Sequence, residues 1–195
     1  MFWFRSKIKI YNLEKGMTNG TKVLKRDGQT ESLNLEKVHK MTEEACEGLA
    51  GVSASQVEIQ SGIQFYDGIT TAEIQEILVR SASDLIDLDA PNYQFVAARL
   101  LLFGLYKQVF GDWKQGFPSV REHLSKGSDK KIYDPTLESK YSEEEWDKIN
   151  SWIDHNRDWT FTYAGLRQVV DKYLVQDRST TEVYESPQFM YMLIS

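Results

Sequence analysis

Apolar positions recur at helical spacing along most of this chain, after one short segment near its start that alternates. That segment runs from Val23 into the thirties and is divided by Asp27-Gly28. Asp-Gly predicts a two-residue type I′ hairpin turn, which needs φ > 0 at both central positions. The ribbon leads to Asn34, a good N-cap, and to a first helix from Leu35 to about Glu47 with Val38, Met41 and Ala45 on one face. Ser53 and Gln56 have capping-box spacing and open a second helix to about Gln64. Phe65 to Gly68 is a break. Thr70 and Glu73 form another capping box, for a third helix to about Asp87 on which Ile74, Ile77, Leu78, Ala82 and Leu85 share a face. Pro91 suits the first turn of a fourth helix, Asn92 to about Phe110, apolar enough over Leu100 to Phe103 to be buried on more than one side.

After Gly111 the texture changes, and Gly116, Pro118, Gly127 and Pro135 punctuate shorter helices. Ser142 to Glu145 is a capping box with acidic residues at the helix N-terminus, followed by a Trp146, Ile149, Trp152, Ile153 stripe that reads as core. Helical spacing continues at Tyr163, Leu166, Val169, Val170 and Tyr173. Leu174-Val175 and Glu182 to Tyr184 predict a strand pair around the polar loop Gln176 to Thr181, and Pro187 starts an apolar helix, Phe189 to Ile194. Residues 1–16 are unlike the rest. Phe2 to Phe4 precede alternating Lys7, Ile8, Lys9 and Ile10, which suits an edge strand, and native folding is expected to begin near Met17. The pattern therefore divides the chain into a 1–16 extension, a hairpin-plus-four-helix domain at 17–111, and a helical part at 112–195.

Composition narrows the function. The chain has 195 residues, 41% hydrophobic and 27% charged, with net charge −6, and the acidic balance argues against nucleic acid as a partner. No apolar run reaches the roughly 20 residues that span a bilayer. Cys46, the single cysteine, excludes an intramolecular disulfide and a multi-cysteine zinc site, fits a reducing compartment, and reads as a small buried residue. His39, His123 and His155 lack metal-ligand spacing. Asp154 to Asp158, around His155, has residue types that suit acid–base chemistry or a structural polar network.

One cluster carries candidate chemistry. The hairpin-to-helix junction brings Lys25, Arg26, Glu31, Asn34 and Lys37 together. Cations, helix-terminal N–H groups and a carboxylate suit a phosphorylated, hydroxylated ligand. The alternative is a solvated hairpin with ordinary surface charge.

Several motifs occur in a fixed order: Val23-Leu-Lys-Arg-Asp-Gly28, Glu47-Gly-Leu49, Ile63-Gln-Phe-Tyr-Asp-Gly-Ile69, Ala90-Pro-Asn-Tyr-Gln94, Ala97-Ala-Arg-Leu100, Ile153-Asp-His-Asn-Arg-Asp158, Lys172-Tyr-Leu-Val-Gln176 and Tyr184-Glu-Ser186. Together, from Met17 to Ile194, they closely resemble the N-terminal part of the large (α) subunit of class I ribonucleotide reductase. The resemblance implies a mainly α fold: a β-hairpin plus four-helix ATP-cone at 17–111, then at 112–195 the helical N-terminal part of a ten-stranded α/β reductase barrel. It implies ATP or dATP, with Mg, as an allosteric effector, and nucleotide contacts at Lys25, Glu31, Ser32, Leu33, Asn34, Leu35, Glu36, Lys37, Thr71 and Lys107. Many members carry histidine where this chain has Gln75, which puts dATP inhibition in question. The family's catalytic cysteines match nothing here, so no catalytic residue is assigned and this polypeptide alone is expected to be inactive. Implied partners are the remainder of the large subunit, a small radical-generating subunit, and a thioredoxin- or glutaredoxin-type reductant, in the cytoplasm, with no nucleic acid and no membrane. The family includes phage members with split or interrupted genes, and a helix stopping at Ile194 fits such an interruption. Competing readings are a stand-alone ATP-cone nucleotide sensor, for which a zinc-ribbon repressor form is disfavoured by the missing CxxC pair, and a nonfunctional truncated product.

Overall fold

A computed structural model describes residues 21–62 and 64–195. The edge strand expected within residues 1–16 lies outside them. Contacts divide the chain into two compact units, up to Leu101 and from Leu102.

The first unit is built on a small sheet of order β2-β1-β3, with β1 Lys22–Leu24, β2 Thr30–Ser32 and β3 Ile69–Thr70. β1 and β2 form the expected antiparallel hairpin, with Leu24 opposite Thr30. Its turn is longer than expected. Lys25 N–H donates to the Gln29 carbonyl at 2.8 Å, which leaves Arg26, Asp27 and Gly28 as the loop. Gly28 takes the left-handed conformation (φ +81°), and Asp27 does not. The Asp27 carboxylate instead accepts from Gln29 N–H at 2.9 Å, a local bond that favours the three-residue loop over a type I′ turn. β3 was not foreseen. It pairs parallel to β1, Val23 with Ile69 and Leu24 with Thr70. Its entry is fixed by Lys22, whose N–H donates to Asp67 Oδ1 at 2.7 Å and whose carbonyl accepts from Gly68 N–H at 2.8 Å.

Four helices follow the expected order: α1 Leu35–Cys46, α2 Ala54–Gly62, α3 Thr71–Asp84 and α4 Tyr93–Phe110. α1 buries Val38, Thr42 and Ala45. Thr42 takes the place expected for Met41 because its hydroxyl is satisfied by the Val38 carbonyl and by Glu58 on α2. Glu58 also binds the His39 ring at 2.9 Å, and that hydrogen bond raises the His39 pKa. Cys46 is half-buried rather than buried, and its burial lifts the thiol pKa to about 11. α3 has its capping box: Thr70 Oγ1 accepts from Glu73 N–H, and Glu73 accepts from Thr70 N–H. α4 is buried at Leu100, Leu101, Leu102 and Phe103, as its composition requires.

The Ser53–Gln56 capping box does not close on itself. Tyr93, 2% exposed, inserts its hydroxyl between the two residues, accepting from Ser53 N–H at 3.0 Å and donating to Gln56 Oε1. Neighbouring residues continue this staple. Asn92 Nδ2 donates to the Ala50 carbonyl at 2.8 Å, and Arg99 Nη1 donates to the Glu47 carbonyl at 2.6 Å. The start of α4 thus ties down the turn between α1 and α2.

The second unit contains the end of α4, then α5 Val120–Asp129, α6 Glu143–Ser151, α7 Tyr163–Lys172 and α8 Pro187–Ile194, with 3₁₀ turns at Trp113–Gln115, Pro135–Lys140 and His155–Thr160. Val120, Leu124, Trp146 and Phe189 form a core cluster. Trp152 is half exposed, under Lys148, and does not join it. The expected strand pair reduces to one bridge, Gln176 with Val183. The Glu185 carboxylate takes Val175 N–H at 2.8 Å, which ends the ladder on one side. On the other, Asp177 accepts from Ser179 N–H at 2.7 Å and curls the loop. Around His155 the polar centre is Asp158, buried, which accepts from Tyr106 Oη at 2.6 Å and Gln188 Nε2 at 2.8 Å. The His155 ring itself stacks on Phe117, with centroids 3.7 Å apart.

Replacing Tyr93 with Phe keeps the buried ring and removes the hydroxyl that serves Ser53 and Gln56. Stability is expected to fall by about 1–3 kcal/mol, the usual cost of leaving a buried polar group unpaired. Urea unfolding of the variant against the parent chain measures this, and coincident curves would show that the hydroxyl is not a staple.

Candidate functional site

The junction of hairpin and helix is built from short, local rules. Lys25 is the residue after β1, Glu31 lies in β2 opposite Val23, and Lys37 sits in the first turn of α1. Glu31 reaches both lysines: its Oε2 is 2.7 Å from Lys25 Nζ and its Oε1 is 3.5 Å from Lys37 Nζ. The hydrogen bond from Lys25 holds the Glu31 carboxyl below the usual carboxylate range, and the same bond raises the Lys25 ammonium. Lys25 and Glu31 are each about one-third exposed and Lys37 is more open. The group is therefore accessible to a ligand, and screened enough that it contributes little to stability by itself.

Between these residues the chain turns into α1. Asn34 is the N-cap, in extended conformation, and its Oδ1 accepts from Lys37 N–H at 3.0 Å. Ser32 and Glu36 are exposed. Leu33 and Leu35 are half-buried, and Leu33 N–H donates to the Thr21 carbonyl at 3.0 Å. That anchoring leaves the first N–H groups of α1 and the acidic Glu36 at the helix start, next to Lys37 in sequence.

Thr71 joins them through β3. Because Leu24 pairs with Thr70 in parallel register, the next residues of the two strands are Lys25 and Thr71. Thr71 is also the first residue of α3. The N-terminus of α3 thus opens beside the C-terminal ends of β1 and β3, while α1 leaves β2 at the other end of the hairpin, where Ser32 is opposite Lys22, and reaches the group through the Lys37 side chain. Tyr66, which the sequence did not single out, donates its hydroxyl to Glu73 Oε1 at 2.8 Å, and the three donors on Glu73 depress its carboxyl pKa, the Thr70 backbone N–H first. One turn into α3, Gln75 Nε2 donates to the Leu100 carbonyl on α4 at 2.5 Å. No periodicity announces either contact. A two-residue strand gives no alternation to detect, and the Gln75 partner is far along the chain.

The structure therefore brings Lys25, Glu31, Asn34 and Lys37 together, with Ser32, Leu33, Leu35 and Glu36 on the connecting backbone, and starts α3 with Thr71 at the strand end next to Lys25. Arg26 is exposed in the turn. Lys107 is exposed in the last turn of α4, within the second unit. Among the described residues no group of three His, Cys, Asp or Glu could hold a metal ion, and no helix is long and apolar enough to cross a membrane.

Residues 21–108 match the family model of the ATP cone domain. The chain is 48% identical over 179 residues to ribonucleoside-diphosphate reductase 1 subunit alpha of Escherichia coli K12, covering 92% of this chain and 23% of that protein. It is 47% identical over 179 residues to the subunit alpha of Haemophilus influenzae, with the same coverage. Against the subunit alpha of Enterobacteria phage T4 the identity is 41% over 174 residues, 88% of this chain and 22% of the relative. The chain thus spans under a quarter of the length of the curated relatives it matches.

Proposed function

We propose that this chain, which carries an ATP cone domain and is similar over nine-tenths of its length to the N-terminal region of ribonucleoside-diphosphate reductase α subunits, binds ATP or dATP as an allosteric effector at the hairpin-to-α1 junction, beside the start of α3. The observation that carries this reading is the Lys25–Glu31–Lys37 group, with Lys25 at the strand end next to the start of α3. Ammonium groups and helix-terminal N–H groups suit phosphate oxygens, and a carboxylate suits sugar hydroxyls. Lys25 and Lys37 balance phosphate charge, Thr71 and the backbone of Asn34 to Glu36 donate to phosphate, and Glu31 accepts from the ribose. For Lys107 the resemblance is the only support. Magnesium accompanies the phosphates and is held mainly by them.

Residues 17–111 act as the regulatory domain, and 112–195 as the opening helices of a reductase barrel. Joined to the remainder of a large subunit and a small radical-generating subunit, with a thioredoxin- or glutaredoxin-type reductant, the chain serves the cytoplasmic reduction of ribonucleoside diphosphates to deoxyribonucleotides. Its own contribution is control. A ligand shifts an equilibrium only by its differential affinity for two arrangements. Thr71 begins the helix whose next turn, at Gln75, holds the Leu100 carbonyl of α4. A small displacement of the α3 N-terminus by phosphate therefore has a short route to the middle of α4.

Removing both phosphate-facing lysines, Lys25→Ala with Lys37→Ala, should weaken ATP binding at least about tenfold by calorimetry, since a hydrogen bond to a charged group is worth about 1.5–3 kcal/mol. Unchanged affinity would put the site elsewhere. Gln75 governs a second expectation. Glutamine hydrogen-bonds but cannot become cationic as histidine can. In enzyme reconstituted from this chain, the rest of a large subunit and its small subunit, a dATP titration should inhibit weakly or not at all. Gln75→His should strengthen inhibition, and strong inhibition with Gln75 in place would refute this role for the residue.

A further inference from the structure

We infer that Glu31 determines the specificity of this site by negative means: it makes the two lysines a poor receptor for bare polyphosphate and a good one for a nucleotide. The inference rests on the nucleotide reading above and concerns what the carboxylate does to competing anions.

Hydrogen-bonding capacity is the starting point. An ionised carboxylate only accepts hydrogen bonds, and so do phosphate oxygens; an ammonium group only donates. Glu31 spans the pair, 2.7 Å from Lys25 and 3.5 Å from Lys37. Any phosphate chain that draws on both lysines competes with Glu31 for the same donors and meets its negative charge at close range. A ribose hydroxyl is different, because it donates. A ligand carrying both phosphates and a sugar gives Glu31 a new partner in exchange for the lysine bonds it gives up. A ligand carrying phosphates alone offers none. One carboxylate thus penalises the wrong ligand and rewards the right one, which is how specificity is commonly built.

The placement supports an active role over a passive clamp. Glu31 sits in β2, held in register opposite Val23, so its backbone cannot follow the lysines away. The Lys25–Glu31 bond crosses the hairpin, but the hairpin has its own ladder and turn bonds, including Lys25 N–H to the Gln29 carbonyl at 2.8 Å. The sheet does not need the ion pair to hold its register. Both Lys25 and Glu31 are partly exposed, so water and anions reach the group. Ion pairs of this exposure are weak enough for a ligand to open.

The test is calorimetry on the full chain with two probes, inorganic tripolyphosphate and ATP, for the parent and for Glu31→Gln. Glutamine keeps an acceptor for the ribose and removes the charge. The expected result is tripolyphosphate binding about threefold to tenfold tighter in Glu31→Gln, with ATP affinity unchanged or lower, so that the preference for ATP over tripolyphosphate falls. Glu31→Asp, which keeps the charge, should keep the preference. Glu31→Thr, a good strand former, serves as the neutral variant if the glutamine form does not fold. Tripolyphosphate affinity that stays the same, falls, or is undetectable in both parent and neutral variant overturns the inference. If the Lys25→Ala, Lys37→Ala chain has lost ATP binding while Glu31→Gln behaves as the parent, only this inference fails; if the lysine variant binds ATP normally, the nucleotide reading itself fails.

Discussion

Parallel pairing of β1 with β3 is the constraint on which the candidate site depends. It amounts to the two register pairs Val23–Ile69 and Leu24–Thr70. Without it, the hairpin with α1 and the start of α3 would be separate local structures, each with one helix N-terminus and ordinary surface charge. With it, Lys25 and Thr71 become consecutive positions at adjacent strand ends. The pairing is secured where the chain can least afford slack. Ile69 and Val23 are buried, and Lys22 is bonded through both its N–H and its carbonyl to the Asp67-Gly68 turn. A one-residue slip of β3 would turn Ile69 to the face opposite Val23.

The helices behind the sheet are organised to hold this arrangement. α4 is apolar through its middle, and its first turns fasten the α1–α2 connection through Tyr93, Asn92 and Arg99. Gln75 fastens α3 to the same helix at Leu100. α1, which carries Lys37, and α3, which starts at Thr71, are thus each tied to α4 by named bonds. A device that responds to a ligand at those residues needs such a shared element, because coupling requires both ends to bias one physical part.

Much of this was legible in the sequence, for a physical reason. Capping boxes such as Thr70–Glu73 and Ser142–Glu145 and the spacing of Ile74, Leu78 and Ala82 are local, so the chain displays them directly. The Lys25, Glu31, Asn34 and Lys37 cluster was readable because a hairpin followed by a capped helix folds its neighbours together. What the sequence hid was non-local or competitive. β3 is too short to alternate, the Ser53 box was taken over by a tyrosine far along the chain, and Asp27 preferred its own side-chain bond to a tighter turn. Thr71 illustrates the limit. Its place beside Lys25 follows from strand pairing alone, and only the family resemblance suggested it beforehand.

The central claim is that strand ends and helix starts far apart in sequence form one nucleotide site. The most direct measurement is an amide-resolved NMR titration of the chain with ATP. The account predicts that the largest shift changes fall together, at one saturating concentration, on Lys25, Glu31 to Lys37, Thr71 and Ala72. Changes at the hairpin with none at Thr71 and Ala72, or changes confined to residues after Leu102, would contradict it.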